Sequence, residues 1–483
     1  MASEYITTEY ITIQSKDSGH FRAYLALPPR GIGPGLVLCH EIFGANATMR
    51  ELAHIYAEEG YVVAVPDLYW REEPGLEFDY TSSDWQHAYR LGEAFDFDLG
   101  VEDVGATLDA LRERPEVRTE TTASMAGRRE RPDTPVSAPR EPGRGLFGGA
   151  GGVFWRGRRS AKESGGSGLG GRAGPHDAGL TGPSEREAPG GLSVVGFSLG
   201  GRLAYLAACR LEGVSCGVSY YGTGIEDHLD EANHLSGRLV VHLPENDKFV
   251  PETGREAIAS HFAESRNVEV YRYPRAERGF ARRGTDSYNR PAATIAYQRT
   301  LSALKREMGP YFDLSRLWDT HLMHTMGDKN VDAIMKGLVE APYLNHVPTR
   351  TGGAGKEKVA AFYRDHFIGQ MPPDTRLLPL SRTVGATQLV EEALLSFTHS
   401  NVIDWLLPGV APTHRYIEIP LVCVATFRGE KIHRLQTYWD QASVLVQIGR
   451  MTADAQPVAG IECARKIVNE DLPSNELIER TPT

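Results

Sequence analysis

"LSVVGFSLGGRLAYLAACRLEG", Leu192 to Gly213, turns what reads as a strand into what reads as a helix around one serine. Val194 and Val195 lie in an apolar run of strand length, and apolar residues recur at helical spacing from Leu199 to Leu211. Gly196, Gly200 and Gly201 remove side chains where a strand must bend sharply into a helix. The pattern predicts a nucleophile elbow, which lifts the Ser198 hydroxyl above the carboxyl edge of a sheet. A glycine-rich turn without chemistry carries the same local signature. The partners of Ser198 therefore decide the reading.

Working outward, "GPGLVLCHEIFG" and "YVVAVPDLY" are further apolar runs, separated by a helix around Ala47 to Glu59. Beyond Leu192 come "VSCGVSYYG", "GRLVVHLP" and "NVEVYRYP", with helices between them and a last helix from about Ala292 to Met308. Fully apolar strands alternating with helices predict an α/β fold, a doubly wound parallel sheet covered on both faces. At the start, Ile11 and Ile13 alternate in a short strand, with Phe21 to Leu27 as its hairpin partner.

Residues 118–190 break this pattern. They hold 17 of the chain's 51 glycines, are rich in Arg, Pro and Ser, and show neither helical nor strand periodicity. Such a composition predicts disorder. The segment separates a helix ending near Arg114 from the strand at Leu192, a junction that normally takes a few residues. It reads either as a flexible insertion or as translated non-coding sequence. Helix-to-strand loops lie at the amino ends of parallel strands and ligands bind at the carboxyl ends. The insertion is therefore expected on the face opposite Ser198.

From about residue 310 to 450 the pattern changes. "LSRLWDTHLMHTM", "DAIMKGLVEAPY" and "EKVAAFYRDHFIG" read as helices, followed by strands in "QLVEEALLSFTHS", "YIEIPLVCVATFRG" and "KIHRLQTYWDQASV". Helices followed by long antiparallel strands predict a smaller, separate α+β domain. The expected division is 1–308, 310–450 and a loosely held polar tail, 451–483. Two domains also suit a length of 483 residues.

A formal net charge of −11 argues against nucleic acid and against an anionic membrane surface as partners. No apolar window approaches the length of a membrane span, and the first residues show no basic and apolar leader. The five cysteines are odd in number and scattered, which suits reduced core thiols in a cytoplasmic protein better than disulfides or a metal site. Neither a metal nor another cofactor is expected.

An acyl-transfer site needs a nucleophile, a base, a carboxylate to orient the base, and donors for the oxyanion. After Ser198, Asp247 fits the carboxylate: it ends an apolar strand and "KFVP" follows it. An N-cap role for Asp247 stays open. Glu41 directly follows an apolar run, as a site carboxylate or as a buried structural one.

"CHEIFGAN", "AVPDLYW", "AYRLGEAFDF", "GFSLGG", "YYGTGIED", "ENDKFVP" and "RGFARRG" occur in the order of the dienelactone hydrolase (carboxymethylenebutenolidase) family, which residues 1–308 resemble once the insertion is set aside. The resemblance implies an α/β-hydrolase fold and a small ester or lactone as substrate. It implies that Glu41 interacts with the nucleophile and that the amides of Ile42 and Leu199 form the oxyanion hole. Arg282 would hold a substrate carboxylate, with Phe280 beside it. Two departures stand out. The family's best-known members use Cys where this chain has Ser198, and the place of the catalytic histidine is taken by Arg278. A guanidinium cannot serve as a general base at neutral pH. His261 reads as a mid-helix residue in "REAIASHFAES", and His40 beside Glu41 is expected to point to the opposite face.

Residues 310–450 resemble the SnoaL-like, polyketide-cyclase-type group, on "APYLNHVPTRTGGAGKEKVAAFYRDHFI", "SRTVGATQLVEE", "DWLLPGV" and "YWDQASVLVQIG". That resemblance implies a cone of curved sheet wrapped by helices, with an acid/base residue inside it. His346, His399, Asp404 and Asp440 are the candidates, against plain roles as caps and strand-end polar groups. The plainer reading is a ligand-binding or dimerising accessory domain, the latter giving a homo-oligomer. Three functions follow: a serine hydrolase of a small ester or lactone, including carboxylate-bearing ones; a pseudoenzyme that keeps the pocket as a small-molecule binding protein; or a cyclase or isomerase centred on the second domain.

Overall fold

The computed structural model of the protein describes residues 6–80, 82–119, 190–454 and 456–479. The N-terminal hairpin forms as expected: β1 (Thr7–Gln14) pairs antiparallel with β2 (His20–Leu27). β2 lies antiparallel to β4 (Val62–Pro66), and β4 runs parallel to β3 (Gly33–Cys39). The parallel ladder continues through β6 (Leu192–Phe197), β7 (Val214–Tyr220), β8 (Arg238–Asn246) and β9 (Val268–Glu277). The strand order β1-β2-β4-β3-β6-β7-β8-β9, with the short β5 (Val117–Arg118) paired to β3, makes a nine-stranded mixed sheet among the described residues.

Two-sided burial explains the apolar strands. Val37 and Val194 pack on one face, against α3 (Phe97–Arg112) and α4 (Leu199–Arg210). Leu36 and Val195, their neighbours in sequence, pack on the other, against α1 (Ala47–Glu58) and α6 (Arg290–Met308). Alternate side chains of a strand point to opposite faces, so a sheet covered on both sides has mostly apolar middle strands. The few buried polar residues there, such as His242, are hydrogen-bonded to buried partners. The remaining helices of this part are α2 (Ser82–Ala94) and α5 (Glu252–His261). His261 is thus the exposed last residue of α5 rather than a mid-helix one.

The expected start of the insertion needs a small correction. Arg118 belongs to β5 and pairs with Pro34, and its carbonyl accepts the Gly191 amide at 2.8 Å. The body of the predicted insertion, 120–189, lies outside the described residues. The chain on either side of it meets at the amino end of β6, and Ser198 follows the carboxyl end.

The second sheet has six strands in the order β11-β10-β15-β14-β13-β12. These are β10 (Leu338–His346), β11 (Thr351–Ala354), β12 (Arg376–Val384), β13 (Gln388–Thr398), β14 (Tyr416–Arg428) and β15 (Lys431–Trp439). Alternate residues of β13 and β14, among them Leu389, Phe397, Ile417 and Ile419, build a core with Trp318 of α7 (Leu314–Leu322). α8 (Val331–Lys336), α9 (Lys356–Phe362) and α10 (Gln441–Gln447) complete the part.

Two expectations fail here. "DAIMKGLVEAPY" is not one helix: α8 stops at Lys336, and Leu338 opens β10. Gly337 divides them, and pairing of β10 with both β11 and β15 outweighs a helical pattern only a few residues long. The tail is not loose throughout either. α11 (Glu462–Val468) buries Ala464, and the Ser443 hydroxyl donates to the Gly460 carbonyl at 2.8 Å. A short α12 (Glu476–Glu479) follows.

Candidate active site

Ser198 stands between β6 and α4 with φ 56° and ψ −113°, a conformation that costs a non-glycine residue energy and recurs at functional sites. The glycines around it are obligatory. A Cβ on Gly196 would lie 1.8 Å from the Gly200 carbonyl oxygen, and one on Gly200 would lie 2.4 Å from that of Cys39. The Ser198 amide donates to the Tyr220 carbonyl at 2.9 Å, which fixes the elbow to β7. Because α4 opens at Leu199, that residue's amide belongs to a helix N-terminus, where backbone donors have no intrahelical acceptor.

Arg278 follows β9 and reaches both expected partners. Its Nη1 donates to Asp247 Oδ2 at 2.8 Å and its Nη2 to Ser198 Oγ at 3.0 Å. The Asp247 side chain is almost fully buried, and its Oδ1 accepts the Phe249 amide at 2.9 Å. The alternative N-cap role does not apply: Asp247 closes a turn two residues long, and Pro251 precedes α5. The guanidinium fills the space between aspartate and serine. Glu41 forms a second buried pair, accepting from Arg282 Nε at 2.8 Å on one oxygen and from the Tyr221 hydroxyl at 3.1 Å on the other. All four carboxylate oxygens hold a donor.

His40 cannot supply the missing base. It is fully buried, and its Nε2 accepts the Leu68 amide at 3.1 Å. That leaves the proton on Nδ1, which donates to the Glu41 carbonyl at 2.6 Å. Burial lowers its pKa, so the ring stays neutral and structural. Phe280 also departs from its expected place: it is fully buried among Tyr220, Tyr221 and Tyr273 and belongs to the core under the site.

Aromatic rings frame both guanidiniums, which sequence reading did not anticipate. Arg278 lies 5.0 Å over the Phe249 ring, and Phe249 stacks with Trp85 of α2 at 6.4 Å. Arg282 lies 4.6 Å over Tyr80 and 5.2 Å over Phe43. Burial pushes the Tyr80 hydroxyl up to about 12, so it remains a neutral donor. Trp85 and Tyr89, one turn apart on α2, were a legible aromatic pair.

The second sheet and its helices enclose a cavity of about 70 Å³. Of the four residues read from sequence, His346 alone lines it, between the rings of Phe367 and Trp405. His399 is buried against Thr413, its Nδ1 3.1 Å from the hydroxyl, with Nε2 unpartnered. Asp404 meets Gln370 at 2.8 Å and His366 at 3.2 Å on the outside. Asp440 is the N-cap of α10, accepting the Ala442 amide at 2.9 Å. The structure adds His321 and Tyr363, whose Nε2 and hydroxyl oxygen lie 3.3 Å apart.

The sequence matches the dienelactone hydrolase family over residues 21–125 and 183–308. It is 30% identical over 302 residues to a carboxymethylenebutenolidase of Pseudomonas sp. strain P51, a match covering 62% of this chain and 95% of that protein. A carboxymethylenebutenolidase of Pseudomonas putida is 28% identical over 298 residues, covering 62% of this chain and 96% of that protein. Among solved structures, a dienelactone hydrolase from Anabaena variabilis ATCC 29413 aligns at 12% identity with a TM-score of 0.38, covering 63% of this chain and 99% of that one. On the family match and the length of the shared sequence, this chain belongs to the dienelactone hydrolase family.

Proposed function

We propose that the chain is a hydrolase of small esters or lactones, including carboxylate-bearing ones, in which Ser198 is the acyl acceptor and Arg278 holds the site in a slow state. The observation that carries this reading is the guanidinium bridging Asp247 and Ser198 at 2.8 and 3.0 Å. In the acyl step, Ser198 Oγ bonds to the carbonyl carbon and the ester C–O bond breaks. The amides of Ile42 and Leu199 take the charge on the carbonyl oxygen. The hydroxyl proton must leave as the new bond forms, and a guanidinium already carries its full set of protons. Removal of a triad member elsewhere leaves roughly 10³–10⁴-fold catalysis over water from oxyanion stabilisation and binding. Arg282, anchored on Glu41, retains N–H donors suited to a substrate carboxylate.

Esterase assays on Arg278→His test this. Turnover of an activated ester is expected to rise at least about 10²-fold, the low end for a positioned general base. Adding Ser198→Ala should remove the gain. If neither change alters turnover, the hydrolase reading gives way to a small-molecule binding protein built on the same pocket.

A second reading concerns residues 310–450, a SnoaL-like domain in which the cavity beside His346 takes a small ligand. One observation favours it: Trp405 lines that cavity, and its Nε1–H is buried without an acceptor. A cyclase or isomerase chemistry there would draw on His346 or the His321–Tyr363 pair. Loss of a ligand-induced thermal shift in His346→Ala, with esterase activity unchanged, would locate binding in this cavity.

A further inference from the structure

The seam between the two sheets holds arginines that the Ser198 site does not use. Arg283 follows the active-site loop and Arg290 opens α6, while Arg428 ends β14 and Arg434 lies on β15 beside His433. In a chain of net charge −11, such a concentration of positive charge runs against the overall balance. Two carboxylates answer part of it: Glu51 lies 3.7 Å from Arg283 and Glu58 lies 2.9 Å from Arg428. Arg290 and Arg434 form no ion pair among the described residues. Arg434 instead lies 4.5 Å over the Tyr343 ring.

A β-bulge shapes this face. Thr426 pairs with Arg434 and Phe427 with Ile432, so His433 is the extra residue in β15. Ile432 and Leu435 are buried on either side, and the bulge leaves both His433 and Arg434 off the core face. His433 Nε2 accepts from Arg428 Nη2 at 3.2 Å, which puts the ring proton on Nδ1. That Nδ1 is buried and has no partner. Burial, and then repulsion from Arg428, Arg434, Arg283 and Arg290, pushes His433 down to about 3. Burial and repulsion from Arg290 also lower the pKa of Arg434. Arg290, Arg434 and the His433 Nδ1–H are thus donors with no anionic partner among the described residues.

We propose that Arg290 and Arg434, with the Nδ1–H of His433, form a binding site for a small dianionic oxyanion, either inorganic phosphate or the phosphate group of a metabolite. Two uncompensated positive charges match a dianion. Guanidinium forks grip phosphate through paired hydrogen bonds, and a tetrahedral anion can meet donors arriving from several directions. The ligand would join the second sheet to the segment that ends in α6 and carries Arg278 and Arg282. The site is independent of the Ser198 chemistry.

Equilibrium dialysis of the full chain with radiolabelled inorganic phosphate at pH 8, with ionic strength held constant by chloride, tests the site. Saturable uptake near one phosphate per chain is expected, with sulfate competing and chloride not. Arg434→Gln and Arg290→Gln should each weaken uptake at least tenfold, whereas Arg266→Gln, at an exposed distant position, should leave it unchanged. Without phosphate, Arg434→Gln should melt no lower than the parent protein, because it removes a repelled charge. A purely structural arginine would give the opposite result. Tighter binding of glycerol phosphate than of phosphate would identify a phosphorylated metabolite, and equal or weaker binding would identify the free anion. Absence of saturable uptake, or uptake retained in both variants, overturns the proposal.

Discussion

A guanidinium and an imidazole fill similar space beside a buried aspartate, but only the imidazole can take a proton at neutral pH. The sequence already made that difference visible, because Arg278 stands one residue before "GFAR", and Asp247 and Ser198 were legible from strand ends. Tyr221, Phe249 and Tyr80 were not, since loop and strand-end residues carry no periodicity to say which way they face. His321 escaped for another reason: on an amphipathic helix a histidine reads as surface until the strands that cover it are placed. Its burial has a measurable consequence. Burial lowers His321 and His346 to about 4 each. In the unfolded chain they titrate near about 6.5. Between these values the unfolded chain binds more protons than the fold, so stability is full above about pH 6.5 and falls as pH drops toward 4. Each such histidine contributes up to about 1.4 kcal/mol per pH unit in that window. Urea unfolding at pH 7.5 and 5 is expected to show this loss, and His321→Gln should reduce it. An equal loss in the variant would mean that His321 already charges in the fold.

At the scale of elements, the first sheet was readable because its central strands, such as β3, β4 and β6, are nearly continuous apolar runs and its turns are glycine-marked. The second was harder, because β10 is a short run whose pairing with β11 and β15 is set by distant residues. The junction at β5 and β6 shows how far a local rule reaches. Arg118 and Gly191 share a hydrogen bond of 2.8 Å although 72 residues lie between them, the length expected of a loop inserted where a few residues would serve. The chain can therefore be closed there. Joining Thr119 to Gly190 through a short glycine linker is expected to keep the melting temperature within a few degrees, since loop-closure entropy changes slowly with length. It should also leave the esterase gain of Arg278→His intact, because the junction lies at the amino end of β6 and Ser198 at the other. A deletion that abolished cooperative melting would show that residues 120–189 help to hold the sheet.

At the scale of the molecule, two cores are tied by a polar seam. We propose Gly309 as the boundary between two domains, the first ending with α6. Lys305 of α6, almost fully buried, donates to Glu59 Oε2 at 2.9 Å and to the Ala386 carbonyl, which precedes β13, at 3.1 Å. Glu59, buried completely, also accepts from the Tyr297 hydroxyl at 3.2 Å and from the Gly429 amide at 3.3 Å. One carboxylate thus satisfies donors from both parts. Removing it strands a buried ammonium, a hydroxyl and an amide together, and breaking a buried pair from one side costs about 3–5 kcal/mol. Glu59→Ala is expected to lose that much in urea unfolding followed by tryptophan fluorescence and circular dichroism. Replacing both partners, Glu59→Leu with Lys305→Leu, leaves no orphaned charge and should cost far less. In the parent protein the two signals should move together, because the seam couples the parts. In Glu59→Ala they should separate into two transitions, as each sheet keeps a core of its own. If Glu59→Ala unfolds within about 1 kcal/mol of the parent in a single step, the seam carries no coupling, and the parts associate through their apolar contacts alone.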